Sequence, residues 1–206
     1  MVSITLSPDK NALRQIHRVQ ALTIIWISVE AAVSLVAAWV AHSPALVAFG
    51  GDSAIELLSA AVVLWAFTRS VDIPYKETRA ARVTGILLFV LAGYVTVVSA
   101  MAFLGYSEPE PSYPGVAILI AAAAIMPWLA KQKRNLSATT GSAALRADAA
   151  QSGLCAYLST IALVGLAVNA IWHVSWADPV AALAVTPLIL WQGKEALRGK
   201  SCNCDP

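Results

Sequence analysis

Four carboxylates, Glu30, Asp52, Glu56 and Asp148, fall inside long apolar stretches of this chain. A charge at the centre of a bilayer costs roughly 2.5–3.5 kcal/mol on insertion scales. Four of them cost on the order of 10 kcal/mol, comparable with the net stability of a whole fold. Groups that costly have partners, are neutralised by protons, or bind a cation. Asp52 and Glu56 stand four residues apart, so on a helix they share one face. Asp148, Gln151 or Ser152, and Cys155 repeat that spacing. Carboxylate-rich sites suit hard cations, and an added amide and thiolate move the preference toward zinc-like divalent metals. Glu30 on its own fits equally a protonated carboxyl held by a structural hydrogen bond. Two acids on one face, level with a second polar face, are harder to explain by packing.

The rest of the chain explains why those acids sit in apolar surroundings. Of its 206 residues, 58% are hydrophobic and 13% charged, and its mean hydropathy is +0.68. Soluble domains run about 45–50% apolar and about 25% charged, so a soluble enzyme and a disordered chain are both excluded. The expected fold is all-α, a polytopic membrane protein. Six apolar stretches stand out, at 20–41, 44–68, 80–105, 114–130, 142–170 and 176–192. They divide the chain into an N-terminal segment 1–19, a six-helix transmembrane domain 20–192 and a short tail 193–206. Pro127 and Pro187 lie inside spans, and Pro114 and Pro179 at span starts, where the missing N–H costs nothing. The apolar stretch that follows residue 19 is too long for the core of a cleaved signal.

The fourteen Lys and Arg fall before span one, between spans two and three, between four and five, and after six, or in the adjoining turns. The connections around His42, Glu108 and His173 hold none. With six spans all fourteen share one side. The positive-inside rule makes that side, with both termini, cytoplasmic. Helical rise then sets the depths. Asp52 lies ~12 Å and Glu56 ~18 Å below the outer face. Asp148, Gln151 and Cys155 lie ~21, ~16 and ~10 Å down, and Glu30 ~15 Å. Polar groups from three helices thus share one layer near the midplane. Gly50 and Gly51, beside Asp52, allow another helix to approach closely.

Three stretches resemble the transmembrane part of the cation diffusion facilitator family. Span two reads HSPALVAFGGDSAIELLSA, similar to that family's Ser-x-Ala-Leu-x-Ala segment running into Asp-x-x-x-Asp. Span five reads GSAALRADAAQSGLCAYLS, similar to its Arg-Ala-Asp segment running into His-x-x-x-Asp. Span six opens WADPVAALAV, close to the family's Trp-x-Asp-Pro start. The likeness covers roughly residues 20–198 in the same order. It implies a homodimeric exporter of divalent metal, usually zinc-like, exchanged for protons. The family's span-two pair maps to Asp52 and Glu56, and its span-five pair to Gln151 and Cys155. In the latter pair an amide replaces a histidine and a thiol replaces an aspartate. Asp148 and Glu30 are then candidates to supply the missing charge. A second departure is the tail, expected to end the protein without the family's cytoplasmic C-terminal domain, so that any dimer forms through the spans.

The expected function is therefore efflux of a divalent metal across the cell's inner (plasma) membrane in exchange for protons. Zinc is the first choice of substrate, with Co, Cd, Fe, Mn or Ni as others. The candidate metal ligands are Asp52, Glu56, Gln151, Cys155, Asp148 and Glu30. Lipid, metal, protons and a second copy are the expected partners. A net charge of +2 gives no case for nucleic acid, and no glycine-rich phosphate loop supports an organic cofactor or ATP drive. The alternative is a membrane metal sensor or partner subunit that binds without transporting. A membrane enzyme using Cys155 as nucleophile lacks a nearby histidine base. Cys202 and Cys204 in the tail read either as a soft-metal acceptor or as an inert reduced tail. Asp178, before Pro179, reads as the N-cap of span six, and His42 and His173 as solvated helix-end residues.

Overall fold

The computed structural model describes residues 10–68, 73–140 and 143–198. They form six helices: α1 (Lys10–Ala41), α2 (Pro44–Thr68), α3 (Ile73–Phe103), α4 (Tyr113–Thr140), α5 (Ala143–Trp172) and α6 (Ala177–Arg198). The tail cysteines Cys202 and Cys204 lie outside the described residues. Four helices are long and apolar enough to cross a membrane by length and composition among the described residues, with spans Arg14–Ala41, Arg82–Phe103, Tyr113–Thr139 and Asp148–Trp172.

Several helices outrun the apolar stretches that announce them. α1 begins ten residues before residue 20, and α4 continues ten residues beyond residue 130. Hydropathy records what lipid must cover, whereas a helix continues for as long as its backbone bonds are satisfied. The basic residues Lys131, Lys133 and Arg134 are therefore helical, not loop residues. Pro127 and Pro187 are accommodated inside α4 and α6.

The main helix contacts close a ring in the order α1, α2, α3, α6, α5, α4 and back to α1. α2 also reaches across the ring to α5 and α6. It is the most enclosed helix, and its first turns (Ala45, Leu46, Ala48, Phe49) are buried almost completely. The core around it is made of small and branched residues drawn from all six helices. The outer surface is the reverse of a soluble protein's. Trp39 is 84% exposed, and Val36, Val90, Tyr157 and Ile171 project outward with it. A continuous apolar exterior of this kind is stable against lipid tails.

Glycines set the closest approaches. A Cβ on Gly50 would stand 2.8 Å from Ser34 Cβ and 3.1 Å from the backbone nitrogen of Leu35 on α1. One on Gly51 would stand 2.6 Å from Leu91 on α3. The close backbone approach is thus made at Gly50, whereas at Gly51 the Leu91 side chain of α3 fills the space.

Three helix ends share one device. His42, Gly105 and His173 each adopt positive φ (51°, 78° and 55°) just past α1, α3 and α5. Ser43 N–H bonds to Ala38 O at 3.2 Å and Tyr106 N–H to Met101 O at 3.0 Å, the six-to-one bonds of a Schellman cap. His173 N–H bonds to Asn169 O at 2.9 Å, the simpler left-handed cap. The two histidines thus occupy positions usually given to glycine.

Candidate functional site

Asp52, Ser53 and Glu56 lie in the middle of α2, where the helix crosses the ring. Asp52 is 2% exposed, and its Oδ2 finds no hydrogen-bond partner among the described residues. The charges that face it are Glu56 and Glu30. One turn along, Glu56 Oε2 accepts a hydrogen bond from the Cys155 thiol of α5 at 3.2 Å. Cys155 is fully buried and packs against Ile27 of α1 and Met126 and Leu129 of α4. Gln151, one turn before Cys155 on α5, also faces Glu56. The Gln151 amide nitrogen lies 3.5 Å from Gln192 Oε1 of α6. The α2 pair and the α5 pair therefore meet, and the amide and thiol stand against Glu56.

Glu30 reaches the same region from α1. It is fully buried, and Ser53 donates to its Oε1 at 2.6 Å. Its Oε2 has no partner among the described residues, and neither has Ser34 Oγ one turn away. The Trp26 indole nitrogen faces Glu30 without a bond of good geometry. Trp26, Glu30 and Ser34 recur at four-residue spacing, so α1 presents a polar stripe toward α2. Buried polar groups without partners are rare in folded proteins, and each calls for a reason. Here they collect along the seam between α1 and α2 at the level of Asp52.

Asp148 behaves differently. Lys133 of α4 donates to its Oδ1 at 2.8 Å, and Gln20 of α1 donates to its Oδ2 at 2.7 Å. Lys133 is 0% exposed and also donates to Ser152 Oγ at 2.9 Å. Lys133, counted above only among the fourteen basic residues between spans, is an interior counter-ion. The reason lies in the hairpin: Lys133 and Asp148 stand at similar distances from the 141–142 connection, so antiparallel α4 and α5 bring them level. That near-symmetry is visible in the sequence and would have revealed the pair. Ser53 and Gln20 carried no comparable signal. Among the described residues, no three His, Cys, Asp or Glu side chains converge on one point as a metal site would require.

At the start of α2, Asp178 corrects its sequence reading. It lies in the first turn of α6, but its carboxylate accepts from Ser43 Oγ at 2.5 Å and from the Ala45 N–H at 3.0 Å. Ser43 Oγ in turn accepts from Leu46 N–H at 3.1 Å. Asp178 therefore caps α2 from across the interface instead of capping its own helix, because an acid near two unsatisfied N–H groups is stabilised wherever it comes from. The serine that opens the span-two motif and the aspartate that opens the span-six motif are physical partners.

Residues 21–198 match the family described as the cation efflux transmembrane domain. The chain belongs to the cation efflux family, the cation diffusion facilitators. No curated protein matches the chain. As a cation efflux protein it is a multi-pass membrane transporter, not an enzyme, and its substrates are divalent metal cations.

Proposed function

We infer that this cation efflux protein exports a zinc-like divalent metal in exchange for protons, through a midplane site made by Asp52 and Glu56 with Gln151 and Cys155. The observation that carries this reading is the Glu56–Cys155 contact across α2 and α5 at 3.2 Å, with Asp52 Oδ2, which has no partner among the described residues, one turn away. These side chains do not converge in the empty site; drawn together on an ion, a carboxylate, a second carboxylate, an amide oxygen and a sulfur would make a four-donor set with one soft member, which suits zinc or cadmium better than magnesium or calcium. Glu30 and Asp148 flank the site and set its field.

Binding begins when a metal ion takes the Glu56 oxygen now held by the thiol. Cys155 loses its proton, and Asp52 turns its open oxygen to the metal. Each proton that leaves a ligand on binding returns on release, so metal and protons compete. Zinc affinity accordingly falls as pH falls, because only the deprotonated ligands hold the ion. The absence of Lys and Arg from the connections around His42, Glu108 and His173 supports cytoplasmic termini and outward export across the inner (plasma) membrane. The resemblance to the family's dimers supports pairing of two copies through the membrane helices.

The test is purified protein in liposomes with a pH dye inside, challenged with Zn, Co, Cd, Fe, Mn and Ni. Wild type moves zinc with an opposing proton flux, and Asp52→Asn moves neither. Undiminished flux in Asp52→Asn rejects the site. Wild-type protein that binds zinc and moves none identifies a sensor instead.

A further inference from the structure

The Lys133–Asp148 pair is not explained by the transport site alone. A lysine buried in a membrane helix bundle is costly even when paired. This one holds a carboxylate that is itself held again by Gln20. Its position gives the reason. Lys133 bonds to Ser152, the neighbour of Gln151, and Ser152 lies three residues, ~4.5 Å of helix, from Cys155. The charges that face Glu56 include both Lys133 and Asp148. The ammonium therefore sits one turn from the proposed ligands, on the side of the α4–α5 connection.

We propose that Lys133 is a tethered cation that stands in for the transported metal when the site is empty: its ammonium is bound to Asp148 and Ser152, and its field lies across the position the metal will take. Lys133 is thus a positioning residue, not a ligand. An arriving ion must overcome the repulsion of a fixed positive charge. That repulsion scales with the ion's charge, as does the attraction of Asp52 and Glu56, so Lys133 lowers the net field that any cation feels at the site. The same repulsion weakens the hold on the bound ion and hastens its release. A site with a soft, tight-binding thiol in place of a carboxylate needs such a device, because a ligand set that binds too well does not let go. This inference rests on the transport reading above.

Zinc titration calorimetry on the purified full chain, with zinc flux in liposomes, tests it. Lys133→Gln should tighten zinc binding at least about tenfold, as removal of a nearby like charge requires, and should slow turnover. Lys133→Arg keeps the charge and should retain wild-type affinity. A purely structural pair predicts the opposite sign, since a loosened α4–α5 contact weakens binding. The charge-neutral double variant Lys133→Gln/Asp148→Asn should bind zinc like wild type. Asp148→Asn alone leaves the ammonium uncompensated and should bind about tenfold more weakly than the double variant. Equal or weaker affinity in folded Lys133→Gln overturns the proposal. Should that variant not fold, equal affinities of Asp148→Asn and the double variant overturn it. Wild-type protein that binds no zinc overturns the transport reading instead, so the two failures are distinct.

Discussion

Helix α2 carries two carboxylate environments within about three turns. At its start, Asp178 reaches over from α6 and both its oxygens are occupied, by Ser43 and by the Ala45 N–H. In its middle, Asp52 keeps an oxygen with no partner among the described residues, and Glu30 beside it does the same. Both environments are buried, and both acids belong to stretches that resemble family motifs. One is satisfied and fixes where α2 stands; the other is unsatisfied and costs stability that packing alone does not repay. Burial and motif membership do not separate structure from function here, whereas hydrogen-bond satisfaction does.

The contrast breaks most sharply at Asp52. Asp52→Asn keeps the side chain's shape and replaces a carboxyl whose Oδ2 has no partner among the described residues by an amide, so little packing is lost. The expected result is complete loss of metal flux, with a melting temperature within about 2 °C of wild type or above it. A variant that both unfolds and stops transporting would put Asp52 in the same structural class as Asp178.

Asp178→Ala should show the reverse. It strands the Ser43 hydroxyl and the Ala45 N–H in a buried setting, and hydrogen bonds to a charged group contribute roughly 1.5–3 kcal/mol each. The expected loss is about 3 kcal/mol, or about 6–12 °C in melting temperature for a chain of this size. Measured after correction for the folded fraction, zinc affinity should stay within about threefold, because the ligands lie two turns or more deeper. A stable Asp178→Ala variant with lost affinity would move the function to the start of α2.

The seam between α1 and α2 gives a smaller effect. Gly50→Ala places a methyl 2.8 Å from Ser34 Cβ and against the α1 backbone, so the two helices must separate. Overpacking of this kind costs about 1–3 kcal/mol, and the shift should weaken the Ser53–Glu30 bond. Gly93→Ala is the control, since its added methyl meets nothing within 4 Å. Denaturation in detergent should separate the two; equal stability would show that the seam accommodates the methyl.

Much of this architecture was legible beforehand, for reasons that also mark the limit. Apolar stretches announce the six helices, four of them long and apolar enough to cross a membrane among the described residues, because lipid penalises each mistake heavily. Helical rise puts the α2 and α5 pairs in one layer, but it levels Glu56 with Gln151 and Asp52 with Cys155, whereas the structure joins Glu56 to Cys155. Lys133 and Asp178 were misread for one shared reason: each was read along the chain, Lys133 as a charge between spans and Asp178 as the N-cap of its own helix, whereas each side chain bonds to a neighbouring helix. The stripe of Trp26, Glu30 and Ser34 was half seen, because Glu30 is an acid and therefore conspicuous, while a tryptophan and a serine in a membrane helix are not. Rules read along the chain see helix ends and spacings; they do not see which neighbour faces which.

Cys155 sharpens the comparison most finely, since its substitution leaves the satisfied end of α2 untouched. The family pattern places a carboxylate where this chain has a thiol, and Glu56 accepts the hydrogen bond that the thiol donates. Cys155→Asp would set two carboxylates against each other in the empty site and remove the only soft donor. Harder ions should then gain on softer ones: the ratio of manganese to cadmium uptake should rise about tenfold, equivalent to about 1.4 kcal/mol of relative affinity. Cys155→Ser, which keeps the size and the donated hydrogen bond but not the soft sulfur, should reduce cadmium uptake without raising manganese uptake. If both variants retain the wild-type metal ratio, sulfur does not contact the ion, and the centre of the site lies on the α1 side of Asp52, toward Glu30.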